Sequence, residues 1–305
     1  MVRILGLLHG FRRFLEDTLF GDRLEAVAAL DSAAALDSAA ALDEWRDGAA
    51  GRGDMGRFLD VAAALGLKDL GTAPGALLSY GAYHGDTGPL FSPGVWQGGA
   101  AALDLDAITE DGSRSWLAGG PSPAHPYDGA TVPDADARDG YTWCKAPRLG
   151  GVVMEVGALA RQAVDGHPLI RDLLAGGQSN VRARVVARLL EVARTIPAME
   201  TWARALRPRE PFCGHGRLAE DGRGHGVTEA ARGSLGHWLR VEGGRIVNYQ
   251  IIAPTTWNFS PRDAGGTRGV LEQALLGTPV DDGRDTVAVQ HVMRSFDPCM
   301  VCTVH

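Results

Sequence analysis

The last nine residues carry side chains at a spacing that can bind a metal ion. They read Asp297-Pro298-Cys299-Met300-Val301-Cys302-Thr303-Val304-His305. Two cysteines three positions apart can direct both thiolates at one centre, and soft sulfur ligands select zinc, nickel, copper or iron over magnesium or calcium. The spacing alone leaves three alternatives open, which are half of a structural zinc site, a redox disulfide and no metal at all.

A closed zinc site would need two more ligands from elsewhere in the chain. Cys144, Cys213 or His215 would have to supply them. Outside such a site, Cys144 and Cys213 are expected to be small apolar fillers. The cysteines number only 4 in 305 residues, so a disulfide framework is excluded and a reducing compartment is favoured.

The composition is that of a globular protein with a sizeable core. Apolar residues make up 45% and charged residues 22% of the chain. The net charge is −7 and no block of basic residues occurs, which argues against a nucleic-acid partner. No run of 18 apolar residues occurs in the sequence, and a membrane-spanning helix is therefore not expected.

The elements that must position the tail are read from hydrophobic periodicity. Apolar residues at three- and four-residue steps predict a helix over 181–206. Gly243 and Gly244 predict a tight hairpin between strands at 238–241 and 245–252. The supporting elements are an N-terminal helix ending near Gly21, short strands and loops over 80–150, and short helices at 267–276 and 285–295.

Together these patterns predict an α+β fold, predominantly helical, with a small antiparallel hairpin region near the C-terminal segment. The hexapeptide Leu-Asp-Ser-Ala-Ala-Ala occurs twice in succession from Leu30, which indicates an Ala-rich insertion. The interpretation divides the chain into a helical segment at 1–60 that contains this insertion and a larger domain at 61–305.

Several separate motifs, in order along the chain, carry a family resemblance. They are Tyr141-Thr-Trp-Cys-Lys-Ala-Pro-Arg148, Met154-Glu-Val-Gly-Ala-Leu-Ala-Arg161, His167-Pro-Leu169, Glu229-Ala-Ala-Arg-Gly-Ser-Leu-Gly-His-Trp238, Tyr249-Gln-Ile-Ile-Ala-Pro-Thr-Thr-Trp-Asn258 and Gly277-Thr-Pro279. With the cysteine tail, they make residues 140–305 resemble the large subunit of nickel–iron hydrogenases clearly, and residues 60–139 loosely. The resemblance implies the hydrogenase large-subunit fold and a nickel-dependent H2:acceptor oxidoreductase.

The resemblance also implies a set of metal ligands. Cys299 matches a terminal thiolate of nickel, and Cys302 matches a thiolate bridging nickel to an iron that holds carbonyl and cyanide ligands. His305 resembles the imidazole ligand of a nearby magnesium ion, and the backbone carbonyl of Ile251 matches another ligand of that ion.

Four further residues match groups around the metals in the family. Arg232 matches the guanidinium that overhangs the open metal position, and Asp297 matches the carboxylate beside it. Pro254 and Thr255 match the segment that encloses the diatomic ligands of iron. Cleavage of H2 needs a metal to take the hydride and a base to take the proton, and the base is either the Cys299 thiolate or the Arg232–Asp297 pair. A guanidinium is ordinarily too basic to act as that base, and a buried position near a cationic metal centre and Asp297 would alter its basicity.

The sequence departs from the family on the N-terminal side. The family holds its metals with four cysteines, of which two lie in an N-terminal Arg-x-Cys-Gly-x-Cys motif, and here no cysteine precedes Cys144. The chain therefore resembles an N-terminally truncated large subunit, expected not to assemble the bimetallic site or cleave H2 alone. The alternatives are an inactive remnant without the cluster and a zinc protein that uses Cys299 and Cys302.

The resemblance implies partners as well. Four cysteines, two of them assigned to the metal centre, are too few for an ordinary iron–sulfur cluster, so electrons must pass to an iron–sulfur small subunit. The Cys302-Thr-Val-His305 ending favours the H2-sensing subclass, which acts in the cytoplasm and signals to a histidine kinase. The other reading is an uptake enzyme, which associates with a membrane through its partner subunits.

Overall fold

The computed structural model describes most of the chain. The described residues are 2–32, 53–85, 88–119, 122–207, 209–211, 213–214, 216, 219–280 and 286–303. The Ala-rich segment at 33–43 and His305 lie outside them, so the predictions for both are left as they stand.

The N-terminal part of the chain is helical. Helix α1 (Val2–Phe14) continues into one π-helical turn (Leu15–Phe20), and Gly21 ends it with a left-handed φ of 66°. That residue is where the sequence predicts the end, because glycine adopts positive φ without steric cost. Short helices α2 (Leu24–Ala28) and α3 (Asp54–Ala64) follow.

Residues 73–179 alternate short strands with loops and two short helices. The strands are β1 (Ala73–Pro74), β2 (Leu77–Gly85), β3 (Gly88–Trp96), β4 (Ala100–Ala101), β5 (Ile108–Asp111), β6 (Leu117–Ala118), β7 (Val132–Pro133), β8 (Ala146–Leu149) and β9 (Gln178–Ser179). Helices α4 (Ala158–Asp165) and α5 (Pro168–Leu173) lie between β8 and β9. The predicted short strands and loops of 80–150 are confirmed.

The long helix α6 (Val181–Ala205) runs through the main core. The Asn180 side chain caps it by accepting a hydrogen bond from the Ala183 N–H at 2.9 Å. Buried α6 residues, among them Val186 and Leu190, pack with apolar side chains of α2, α3, α4 and α5. The helix predicted at 181–206 is confirmed almost to the residue, and its buried face repeats at three- and four-residue steps through Ala183, Val186, Leu190, Ala193 and Ile196.

A three-stranded antiparallel sheet carries the second half of the chain. It consists of β10 (Gly222–Ala230), β11 (Gly233–Glu242) and β12 (Arg245–Ile252), in that order. Gly243 and Gly244 turn the chain between β11 and β12 with φ values of 55° and 71°, as a primed turn requires. Trp238 on β11 is buried in a separate core with residues of β2, β5 and the region after β12.

Three short helices complete the described chain, and they are α7 (Pro254–Asn258), α8 (Val270–Ala274) and α9 (Val287–Ser295). The last two lie within the predicted helical ranges. Five small antiparallel sheets stand beside the helices in the described part of the chain, so the architecture is mixed. The predicted predominance of helix is not confirmed, because Gly- and Pro-rich stretches form many two- to four-residue strands.

Candidate functional site

Helix α9 and a sharp turn place the two tail cysteines. The turn follows the helix at Asp297, whose φ is 52° and whose N–H donates to the Arg294 carbonyl at 3.0 Å. Beyond it the Cys302 N–H donates to the Cys299 carbonyl at 3.0 Å, as the chain enters a single 3₁₀ turn (Val301–Thr303). This bond brings the two cysteines onto one tight turn.

Helix α7 supports that turn from beneath. The Thr255 hydroxyl accepts a hydrogen bond from the Cys299 N–H at 3.2 Å. Pro254 and Thr255 are both buried, and Pro254 occupies the first helical position, where a missing N–H costs nothing. The structure therefore brings the predicted residues Thr255 and Cys299 into direct contact.

The two thiols differ in acidity. Hydrogen bonds from Cys302, with a smaller effect of the Arg232 charge, lower the pKa of the Cys299 thiol. Burial, together with the neighbouring Cys299, raises the pKa of Cys302 to about 11. Cys299 is accordingly the more readily ionised of the two, as a terminal metal thiolate needs to be.

Arg232 and Asp297 form an ion pair next to the cysteines. Arg232 is in the two-residue turn between β10 and β11, and its Nε lies 3.7 Å from Asp297 Oδ2. Their side chains are 44% and 42% exposed. The buried position that would alter the basicity of Arg232 is therefore not observed in this structure. The proximity of Arg232 to Asp297 agrees with the sequence analysis.

A cavity of about 300 Å³ opens beside Cys302. Its lining includes Cys144, Ile251, Thr256 and Val301. The predicted backbone ligand Ile251 and the predicted thiolate Cys302 thus face one space. Cys144 is close as well, with its Sγ 3.9 Å from the Cys302 carbonyl oxygen.

A buried polar network forms another wall of this cavity. Lys145 Nζ donates to Gln250 Oε1 at 2.9 Å and lies 3.6 Å from Glu110 Oε2. Glu110 Oε2 is buried without a hydrogen-bond partner, and burial raises the pKa of this carboxyl group. A buried carboxylate oxygen without a partner is costly unless a cation or proton neutralises it. The Lys145 ammonium group provides that charge at 3.6 Å, and Glu110, Lys145 and Cys302 all line the cavity.

The described residues could supply only part of a metal centre. Among the described residues, no cluster of three or more His, Cys, Asp and Glu side chains could hold an ion by itself. Cys299 and Cys302 fit two thiolate positions of a nickel site, and the other positions need ligands beyond them.

The structure also tests the ligands suggested for zinc. Cys144 lines the cavity beside Cys302, whereas Cys213 is exposed and His215 lies outside the described residues. The description of Cys213 as an apolar filler is wrong, because it lies on the surface.

Two groups near the site were missed by sequence reasoning, and they are Glu110 and Arg161. Arg161 is buried at 1% exposure and holds the turn that carries Arg232. The sequence signal that could have identified Arg161 is a charged residue within the mostly apolar stretch 158–164. Its partners could not be found in this way, because they lie 30 to 70 positions away.

Every helix in the described part of the chain is too short or too polar to cross a lipid bilayer.

Comparison with known proteins gives consistent matches. Residues 66–305 match the family model described as nickel-dependent hydrogenase. The chain is 33% identical to the periplasmic NiFeSe hydrogenase large subunit of Desulfomicrobium baculatum, over 71% of this chain and 46% of that protein. It is also 33% identical to an uptake hydrogenase large subunit of Azotobacter chroococcum, over 81% and 52% of the two chains.

The fold agrees with solved structures. A NiFeSe hydrogenase variant from Desulfovibrio vulgaris Hildenborough superposes with a TM-score of 0.72 at 32% identity, covering 90% of this chain and 62% of that one. The chain spans about half the length of the curated relatives it matches. A family match over most of the chain and a shared fold together show that this chain belongs to the nickel-dependent hydrogenase family.

Proposed function

We propose that this chain supplies the C-terminal portion of a nickel–iron hydrogenase large subunit, which cleaves H2 and passes electrons to an iron–sulfur small subunit. The supporting observation is the convergence of Cys299 and Cys302 on one turn, with the Arg232–Asp297 pair beside it. Cys299 would supply a thiolate to nickel, and Cys302 would supply a thiolate to the nickel–iron centre. Pro254 and Thr255 would enclose the carbonyl and cyanide ligands of that iron.

Each of these residues would have a separate role in the heterolytic cleavage of H2. When bound, the nickel–iron centre would polarise H2 and accept its electrons. Cys299 would accept the released proton as a metal-bound thiolate, and the lowered pKa of its thiol favours that ionised form. Arg232 stabilises that thiolate by its charge, and Asp297 keeps the guanidinium beside it. Ile251 and His305 are proposed as magnesium ligands, and Glu110, which is paired with Lys145, lines the same cavity as Ile251.

The remaining ligands must come from outside the described cysteine turn. Nickel and iron need more sulfur than Cys299 and Cys302 can supply, so we propose that a further polypeptide segment with two thiolates completes the centre. The division of the chain at residue 60 is part of the same proposal, since the family match begins at residue 66.

The names of the relatives bear on the choice between an uptake role and an H2-sensing role. One relative is named a periplasmic hydrogenase, several are named uptake hydrogenases, and one is named quinone-reactive. These names favour an uptake role over the H2-sensing role. The histidine kinase partner and the cytoplasmic location that go with sensing have no support among them.

Nickel titration of the reduced, folded chain tests the proposal. Nickel bound by thiolates gives sulfur-to-metal charge-transfer absorption, and we expect it to appear with the parent chain and with a Cys213→Ser control. Cys299→Ser and Cys302→Ser should each weaken nickel binding by about tenfold or more. Equal nickel binding by all four proteins would overturn the proposal, and a strong preference for zinc would favour the zinc alternative.

Infrared spectroscopy tests the complete centre. The protein purified with its small subunit from cells that make the full hydrogenase machinery should show iron-bound carbonyl and cyanide bands. This chain purified alone should show none, because its two tail thiolates leave the metals under-coordinated.

A further inference from the structure

The Arg232–Asp297 pair has a geometry that its own interaction does not explain. Both side chains are nearly half exposed, and their closest atoms are 3.7 Å apart. An exposed ion pair of this kind contributes about 0–1 kcal/mol, too little to hold two long side chains in one arrangement. The arrangement must therefore come from the backbone segments that carry them.

The turn that carries Arg232 is held by a buried guanidinium. Arg161 of α4 donates to the carbonyl oxygens of Ala230 and Ala231, each at 3.1 Å. It also donates to Glu229 Oε2 at 2.7 Å and makes two bonds of 2.7 and 2.8 Å to Glu191 of α6. These bonds use all five N–H donors of the guanidinium. Arg161 thereby ties the residues just before Arg232 to helix α6.

Glu229 fixes both strands that lead to the turn. Its Oε1 accepts hydrogen bonds from the Tyr80 N–H at 2.8 Å and from the Ser234 hydroxyl at 2.5 Å. Glu229 lies near the end of β10 and Ser234 near the start of β11, so one carboxylate joins both sides of the Arg232 turn. The carboxylate is buried, which strengthens each of these charge-assisted bonds.

The segment that carries Asp297 is held from the same helix. Arg188 of α6 donates to the Ser295 carbonyl at 2.9 Å, at the end of α9. Arg188, Arg232 and Asp297 line one small cavity. Arg188 and Glu191 are three positions apart on α6, so they project from the same face of the helix.

We propose that Arg161, bound to Glu191 of α6, and Arg188 of α6 are positioning residues that set the Arg232–Asp297 geometry. The catalytic meaning of this geometry rests on the proposed function, because the Arg232 charge can stabilise the Cys299 thiolate only when it is held at a fixed distance from it. The positioning itself is a property of the metal-free chain and can be measured there.

The test follows Arg232 directly by NMR. The folded chain is labelled with ¹⁵N-arginine, and the Nε–Hε signal of Arg232 is assigned as the one lost in Arg232→Lys. Lysine cannot reproduce the five-donor fork of Arg161, so Arg161→Lys should shift or broaden the Arg232 signal. Arg188→Lys should perturb the same signal through Asp297, and backbone amides at 229–234 should exchange about tenfold faster in Arg161→Lys.

A matched control separates positioning from general stability. Arg194→Met removes the pair with Asp165, which also joins α6 to α4, at 2.7 Å, but makes no bond to the turn. It should lower the melting temperature while the Arg232 signal stays in place. If Arg161→Lys does not fold, Glu191→Gln removes one carboxylate charge and should shift the Arg232 signal in the same direction, by less.

The outcome decides the inference independently of hydrogenase activity. An Arg232 signal that is unchanged in Arg161→Lys or Glu191→Gln, while stability falls as in Arg194→Met, would show that Arg161 is merely structural. Loss of H2 cleavage for another reason would leave the NMR result unaffected, so the two proposals fail separately.

Discussion

The hydroxyl of Thr255 links a buried helix to the cysteine turn by one bond. It accepts the Cys299 N–H at 3.2 Å, and the threonine is 3% exposed. Removing the acceptor of a partly buried N–H loses the bond and leaves a donor that water replaces only in part. Thr255 therefore helps to fix the position of the Cys299 backbone.

This link gives a prediction at the residue scale. Thr255→Val keeps the shape of the side chain but removes the acceptor, and it should lower the free energy of unfolding by about 1–2 kcal/mol. Thr255→Ser keeps the hydroxyl and serves as the control, with a loss below about 1 kcal/mol for the missing methyl group. Urea denaturation of the three proteins measures both values. A Ser variant as unstable as the Val variant would show that packing, not the hydrogen bond, matters at this position.

The candidate residues were identified from their types and from the order of the motifs along the chain. Their spatial arrangement could not be predicted in the same way. Two cysteines three residues apart are close in any fold, so the cysteine turn was predictable. Arg232 and Asp297 are 65 positions apart, and only the resemblance paired them. Arg161, Glu191 and Glu229 could not be paired from the sequence, because the long-range approach of three charges depends on how α4, α6 and β10 pack.

At the scale of elements, the β10–β11 hairpin depends on a glycine directly after the Arg232 turn. Gly233 has a φ of 135°, which side-chain-bearing residues rarely adopt. A Cβ built there would lie 2.7 Å from Val156 Cγ2 and 2.8 Å from the Gly157 N. The hairpin can approach the start of α4 this closely only because position 233 has no side chain.

A substitution at this glycine therefore tests the packing of the hairpin. Gly233→Ala combines backbone strain with a steric clash and should destabilise the fold by about 2–4 kcal/mol. Gly226→Ala on the same hairpin is the matched control, since nothing lies within 4 Å of a Cβ at that position. Chemical denaturation should find the control within about 0.5 kcal/mol of the parent chain. Equal losses for the two variants would contradict the close approach seen here.

Some elements were predictable because their signal is local. Helix α6 carries buried apolar residues at three- and four-residue steps, and Gly243 and Gly244 encode their turn in two residues. Strand β10 was missed because Gly222–Ala230 contains three glycines and few β-branched residues. It becomes a strand through pairing along the full length of β11, which is a tertiary effect that local propensity does not contain.

At the scale of the whole molecule, an ion pair attaches the N-terminal helix to the main core. Arg12 of α1 donates to Glu200 of α6 at 2.9 and 3.2 Å, and also to Glu25 at 2.8 Å. The Arg12 and Glu200 side chains are only 15% and 9% exposed, so solvent screens this pair less than a surface pair. Helix α1 is thus attached to helix α6 by an ion pair.

The pair makes stability depend on pH in a definite direction. The hydrogen bond from Arg12 lowers the pKa of Glu200 below its ordinary value of 4.5. A carboxyl group whose pKa is depressed by folding binds fewer protons in the folded chain than in the unfolded one. Its contribution is therefore fully present above pH 4.5 and is lost as the pH falls through the folded-state pKa.

Arg12→Met keeps the apolar part of the side chain and removes its charge. The loss of unfolding free energy that it causes should therefore change with pH in the same way as the contribution of the Arg12–Glu200 pair. At pH 7 the free energy of unfolding should fall by about 1–2 kcal/mol. Below pH 4.5 the difference from the parent chain should shrink steadily, and it should vanish once the pH has fallen through the lowered pKa of folded Glu200, because Glu200 is then protonated in both states. Arg57→Met, at an exposed pair with Asp54, should cost little at either pH. Thermal and urea denaturation across this range would measure the difference, and a cost of Arg12→Met that does not change with pH would assign the stabilisation to packing of the arginine stem.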